Sequence, residues 1–205
     1  MIRLHQFWAQ GADLLPRNLA VRRERWREAL PAGVEMILWD AESVAEVWPE
    51  FRELAGKCYH YATMCDLVLP RLQYLYGGLA MGTDVSPLDA DRLLRLCEVA
   101  GNFIVLNVRG RACSNAVSYF QKPGHPYLGI VSRHQRRDDD LHLGYANVWH
   151  ATGPGCHWEV YSKYQFDVVG VPDEMAYRQL VEPGEEGSWQ GAGGGQNALP
   201  WDRES

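Results

Sequence analysis

The sequence predicts an α/β fold in a single domain, on three observations. Short apolar runs suited to strands alternate with longer stretches of helical periodicity, which is the pattern of helices layered on a sheet. Proline and glycine fall at the seams between those stretches. The chain, at 205 residues, is long enough to bury one core and too short for two ordinary domains.

The first strand is residues 2–8 (IRLHQFW), which alternate and end in aromatics. Residues 16–30 read as a helix, with Leu19, Trp26 and Leu30 as apolar positions among arginines and glutamates. Pro31-Ala32-Gly33 breaks it, and VEMILW (34–39) is a compact second strand followed by Asp40. Helices are expected over about 42–54 and 58–75. Pro70 should mark a kink or a helix start in the second, because proline lacks the donor a helix interior uses. Gly77-Gly78 stops that helix, and Leu79-Ala80-Met81 leads into a short strand ending in a loop at Gly82-Thr83-Asp84-Val85. Residues 89–99 look helical, 103–108 and 116–120 look like strands, and a turn over 123–126 opens another helix. Residues 1–182 form the domain in this reading, and 183–205, with GEEGSW and GAGGG, form a flexible tail with no core of its own.

Composition narrows the function. The net charge is −6, so phosphate backbones exert no long-range pull and general nucleic-acid binding is disfavoured. Arg22, Arg23, Arg25 and Arg27 are interrupted by Glu24 and Glu28, as on a solvated helix face. No apolar run approaches the ~20 residues of a membrane span, and residues 1–10 lack the pattern of a secretory signal. A soluble cytoplasmic protein with reduced thiols is expected, the five cysteines being odd in number and irregular in spacing.

The segment from Cys65-Asp66 through Gly77-Gly78 to Asp84 is the most informative. It is a helix with an acid near its start, a double-glycine turn, and a buried strand delivering a second acid into a loop. Paired glycines let the backbone approach a ligand closely or take positive φ. An acid at the carboxyl end of a strand sits where α/β folds bind ligands. The alternative is a tight turn in which Asp84 caps the loop before Pro87. Cys58, His60 and Cys65, or His150, Cys156 and His157, lack the paired spacings of zinc motifs. Ser114 and Ser118 lack a nucleophile elbow.

These residues resemble the sugar-binding region of the DXD-containing glycosyltransferases, the family of capsular-polysaccharide transferases, initiating mannosyltransferases and, more remotely, glucosylating toxins. That family's pattern is a Ser-Asp helix, Tyr-Gly-Gly, and a strand ending in Asp-x-Asp; Cys65-Asp66, Tyr76-Gly77-Gly78 and Gly82-Thr83-Asp84 are similar to it in order. Residues 2–8, Leu38-Trp39-Asp40, Asn115, Pro123-Gly124-His125-Pro126, Thr152-Gly153-Pro154 and Gly187-Ser188-Trp189 match further stretches colinearly. The resemblance implies a GT-A-like, Rossmann-like domain with a mixed sheet flanked by helices, binding a nucleotide-sugar donor with Mn²⁺ or Mg²⁺. It implies Asp84 and Ser188 as metal ligands, Asp66 on sugar hydroxyls, Trp8 stacked near the nucleobase, and Ser188 and Trp189 closing over the donor.

The chain departs from the family at defined positions. Gly82 stands where the first acid of Asp-x-Asp belongs, Leu69 stands for an arginine with Arg71 displaced to another face, and Glu185 and Glu186 precede the closing Ser-Trp. The activity implied is transfer of a hexose to a hydroxyl acceptor, a saccharide, a protein or a modified DNA base. The alternative is a non-catalytic nucleotide-sugar-binding module with a degenerate Asp-x-Asp.

Overall fold

In the computed structural model, residues 1–58, 60–107, 111–135 and 149–182 are described. Eight strands are found among them: β1 (Ile2–Phe7), β2 (Val34–Trp39), β3 (Gly78–Met81), β4 (Ser86–Pro87), β5 (Asn102–Asn107), β6 (Ala112–Phe120), β7 (Val169–Pro172) and β8 (Val181–Glu182). The helices are α1 (Arg17–Ala29), α2 (Ala41–Val47), α3 (Phe51–Lys57), α4 (Tyr61–Tyr76), α5 (Ala90–Ala100), α6 (Pro126–His134) and α7 (Pro154–Lys163). A short helical segment continues as a π-turn over Ala176–Leu180.

Six strands form one mixed sheet in the order β2-β1-β3-β6-β5-β7. β6 runs antiparallel to both of its neighbours, while β1 is parallel to β2 and β3, and β5 to β7. Alternation along the strands splits the core. Leu4, Leu79, Met81, Phe103 and Val105 face one side with Trp26 of α1 and Leu93 of α5. Phe7 and Ala80 face the other with Val44, Phe51 and Leu67 of α2–α4. Further along that second face, Ile104 and Phe120 pack on Tyr127 of α6 and Val160 of α7. The domain is therefore the mixed α/β sheet flanked by helices that the sequence predicts.

Two helix expectations need correction. The stretch 42–54 is two helices, because Pro49 pushes Trp48 out of the helical region, to φ −144° and ψ 80°. Pro70 does not start a helix: α4 (Tyr61–Tyr76) runs through it without a break. Proline removes the N–H that would bond the carbonyl four residues back, which is that of Asp66. Gln135 supplies the replacement. Its buried side-chain amide donates to Asp66 O at 2.9 Å and to Thr152 O at 2.6 Å.

The double glycine is structural. Gly77 and Gly78 have φ +67° and +96°, a region that favours glycine. A Cβ on Gly78 would lie 2.5 Å from Arg3 O of β1. Gly78 thus lets β3 turn out of α4 and press against β1, while a Cβ on Gly77 would lie 3.1 Å from the Phe120 and Gln121 carbonyls at the end of β6.

Candidate functional site

β1 lies between β2 and β3. The chain leaves β1 towards β2 on one side, then returns through α2–α4 to β3 on the other. Connections that part in this way open a crevice at the carboxyl ends of the parallel strands, the usual ligand position in open α/β sheets. A cleft of about 190 Å³ lies at that point. Its lining comes from Trp8, Ala9 and Gln10 as they leave β1, from Gly82, Thr83 and Asp84 as they leave β3, from Leu19 and Ala116, and from Tyr61, Cys65, Asp66 and Leu69 on α4. Trp8, Asp66 and Asp84, three residues singled out in the sequence, are thus brought together.

Asp84 sits in a loop held from several directions. Gln6 donates to Gly82 O at 3.3 Å, Gly82 N to Ala116 O at 2.9 Å, and the buried Trp26 indole to Val85 O at 2.8 Å. Arg22 reaches Ser86 Oγ at 3.0 Å. The backbone is fixed while the Asp84 carboxylate lines the cleft. Gly82 makes room for that carboxylate: a Cβ at residue 82 would lie 2.6 Å from Asp84 Oδ1. The absent first acid and the placement of the second are therefore one feature.

Asp66 is buried at the foot of the cleft, 8% exposed. Burial raises its carboxyl from the ordinary range to about 8, although a hydrogen bond from Thr152 Oγ1 to Oδ2 at 3.1 Å pulls the other way. Thr152 belongs to the Thr-Gly-Pro turn that opens α7, so two separately matched motifs meet in space.

Trp8 is half-buried, its indole N–H donating to Leu14 O at 3.2 Å and its ring 6.5 Å from that of Tyr61. Both rings line the cleft. Leu69 also lines it, whereas Arg71 lies over the Trp48 and Tyr74 rings at 5.4 and 5.6 Å. The displacement of Arg71 to another face is as read from the sequence. Ser188 and Trp189, with the tail 183–205, lie outside the described residues.

Sequence reasoning missed Thr152 as the partner of Asp66, Gln135 as the support of both, and Tyr61 as the second ring. The Thr-Gly-Pro match marks Thr152 without saying what it touches. No local pattern marks Gln135 or Tyr61.

Among the described residues, no three His, Cys, Asp or Glu side chains gather as a metal cluster. No Lys, Arg or His lines the cleft among them either. Mg²⁺ and Mn²⁺ sites commonly use one or two carboxylates with substrate phosphates and water completing the shell. The Asp84 carboxylate, with Thr83 beside it, fits a cation that arrives with phosphates, and does not fit a closed cage of protein ligands. No helix among the described residues is long and apolar enough to cross a membrane.

Fold and cleft together define an α/β protein with a switch-point crevice that holds two carboxylates and an aromatic pair. No family model and no curated protein matches the chain. Eight solved chains match it in structure. One of them, described as "PaToxG Glycosyltransferase", is 12% identical with a TM-score of 0.49, over 77% of this chain and 66% of that chain.

Proposed function

We propose that the chain is a glycosyltransferase of GT-A-like fold that transfers a hexose from a nucleotide-sugar donor to a hydroxyl acceptor with the aid of Mn²⁺ or Mg²⁺. The observation that carries this is the convergence of Trp8, Asp66 and Asp84 on one crevice at the carboxyl ends of β1 and β3. In the sequence Asp66 and Asp84 share one segment, and Trp8 is tied to them only by the resemblance to a donor site.

Each residue has a physical role in this reading. The Trp8 and Tyr61 rings offer flat apolar faces to a nucleobase. The Asp66 carboxyl is desolvated and held by Thr152, so it can exchange directional hydrogen bonds with sugar hydroxyls. Asp84 holds the cation beside the phosphates. A hard cation there neutralises the charge that builds on a diphosphate leaving group. The described lining has the Asp84 carboxylate, an Asp66 carboxyl that burial keeps protonated below about pH 8, and no side-chain cation, so phosphate binding should depend strongly on that metal.

Ser188 as a second metal ligand is compatible with the topology. β8 pairs with β4, placing Glu182 opposite Ser86, two residues past Asp84. Ser188 follows Glu182 by six residues, a length that reaches about 20 Å at full extension. Ser188 and Trp189 are proposed to close over the donor.

A second reading, a nucleotide-sugar-binding module without turnover, is favoured by Gly82, which leaves the loop with one carboxylate where the family has two. A melting-point screen of nucleotide sugars with and without Mn²⁺ tests binding, since a ligand of the native state raises the melting point. Release of free sugar from the stabilising donor separates the two readings. A chain that no nucleotide sugar stabilises is neither.

A further inference from the structure

Tyr177 belongs to none of the matched motifs, yet it connects to the Asp84 loop. It lies half-buried on the π-turn Ala176–Leu180. Such turns are uncommon and often occur at functional sites. The Tyr177 hydroxyl hydrogen-bonds Ser114 Oγ on β6. Ser114 Oγ also accepts from Ala116 N at 3.2 Å, and Ala116 O accepts from Gly82 N at 2.9 Å. This gives a continuous path from the phenol to the residue that opens the Asp84 loop.

The strand geometry explains why the path exists. β6 pairs with β5 in register from Asn102↔Phe120 to Ile104↔Ser118, then resumes at Val105↔Ser114. Residues 115–117 are thus a bulge without partners on β5. Bulges re-aim backbone and are common beside active sites. This one turns Ala116 into the cleft lining and its carbonyl towards Gly82. A bulge lacks ladder bonds on one side and needs another support. The Ser114 hydroxyl, itself held by Tyr177, provides it. The π-turn is secured in turn, because Leu88 N and Asp89 N donate to Leu180 O at 3.0 and 3.1 Å and β8 pairs with β4.

We propose that Tyr177 is a positioning residue of the cleft: through Ser114 it holds the β6 bulge, and through Ala116 and Gly82 it sets where Asp84 stands. Burial raises the Tyr177 phenol above its ordinary range, the Ser114 bond opposes this, and the Asp173 and Asp84 carboxylates add to the rise. The phenol therefore keeps its proton across the neutral range. The consequence for Asp84 rests on the glycosyl-transfer reading, while the mechanical link does not.

The test has two arms on the full chain. In the ligand-free protein, Tyr177→Phe should speed amide exchange at Ala116 and Gly82 at least tenfold while Leu4 and Val105 stay as they are. Ser114→Ala should do the same, the double variant should go no further, and Ser114→Thr should restore protection. In the second arm, MnCl₂ with the nucleotide sugar that most raises the wild-type melting point should bind Tyr177→Phe about tenfold more weakly, at an unchanged melting point of the free protein. If Ala116 and Gly82 exchange as in wild type, or if the two single effects add in full, the link is overturned. If exchange responds as stated but no nucleotide sugar binds even the wild type, Tyr177 stands as the support of the bulge and the glycosyl-transfer reading is what falls.

Discussion

Thr152 Oγ1 lies 3.1 Å from Asp66 Oδ2, a hydrogen bond between buried residues 86 positions apart in the chain. It joins the start of α7 to the first turns of α4 at the foot of the cleft. Gln135 bridges the two backbones behind it. Asp66 is therefore a carboxyl placed by three elements and stripped of water.

That environment has a consequence for stability. Asp66 titrates near 8 in the fold against 3.8 as the ordinary value, so the native state binds an extra proton between these limits and loses stability as pH rises through them. His5 and His157, each lowered from 6.5 to about 4 by burial, work in the opposite sense, favouring the native state as pH rises from 4 to 6.5. The window from about 6.5 to 8 isolates Asp66. Stability of the ligand-free protein should fall across it, and Asp66→Asn should flatten the fall and raise stability at pH 8 by on the order of a few kcal/mol. Urea unfolding at pH 6.5, 7.2 and 8 of both proteins checks this. Parallel curves contradict it.

The support of Asp66 predicts an unusual rescue. Gln135→Leu removes the side-chain donor to the Asp66 and Thr152 carbonyls, at a cost of roughly 1–3 kcal/mol. Pro70→Ala restores an N–H directed at Asp66 O, so the double variant should recover part of that loss, as a double-mutant cycle would measure. Additive losses in the two variants mean that Gln135 does not stand in for the proline's missing donor.

Much of this was legible in the sequence. The strands β1, β2, β3 and β5 are short apolar runs bounded by breakers, and α1, α4 and α5 carry apolar stripes. Trp8, Asp66 and Asp84 emerge together because each lies in a local motif. The rest depends on contacts that sequence periodicity does not encode. β4 and β8 are two residues each and exist only because they pair with one another. α7 begins at a matched turn, but its run PGCHWEVYSK carries too few apolar positions to declare a helix. Pro70 reads as a breaker until Gln135 is seen supplying the missing donor. Tyr177 is an ordinary tyrosine until the β6 bulge brings Ser114 to it.

Trp8 distinguishes a binding ring from a core ring. Half-buried beside Tyr61 in the cleft, Trp8→Ala should weaken nucleotide binding by roughly 1–3 kcal/mol, the scale of base–aromatic stacking, while costing little in melting point. A large drop in melting point with affinity intact in the folded fraction means that the ring is structural.

Gly82 can be probed in the direction that tests Asp84. Its φ is not in the left-handed region, and a Cβ would meet the tip of the Asp84 side chain, 2.6 Å away. Gly82→Ala should therefore fold with a melting point near wild type and shift the carboxylate, weakening Mn²⁺-dependent donor binding about tenfold. Unchanged affinity means that the position of that carboxylate does not matter.

The most direct measurement is calorimetric titration of the stabilising nucleotide sugar into wild type and Asp84→Asn, each with MnCl₂ and with EDTA. Asp84→Asn keeps the side-chain volume and removes the charge. The proposed function predicts that wild type binds the donor with Mn²⁺ and loses it in EDTA. It also predicts that Asp84→Asn with Mn²⁺ binds at least a hundredfold more weakly, about 2.7 kcal/mol. Binding of equal strength in all four titrations, or no binding of any nucleotide sugar to the wild type, contradicts it.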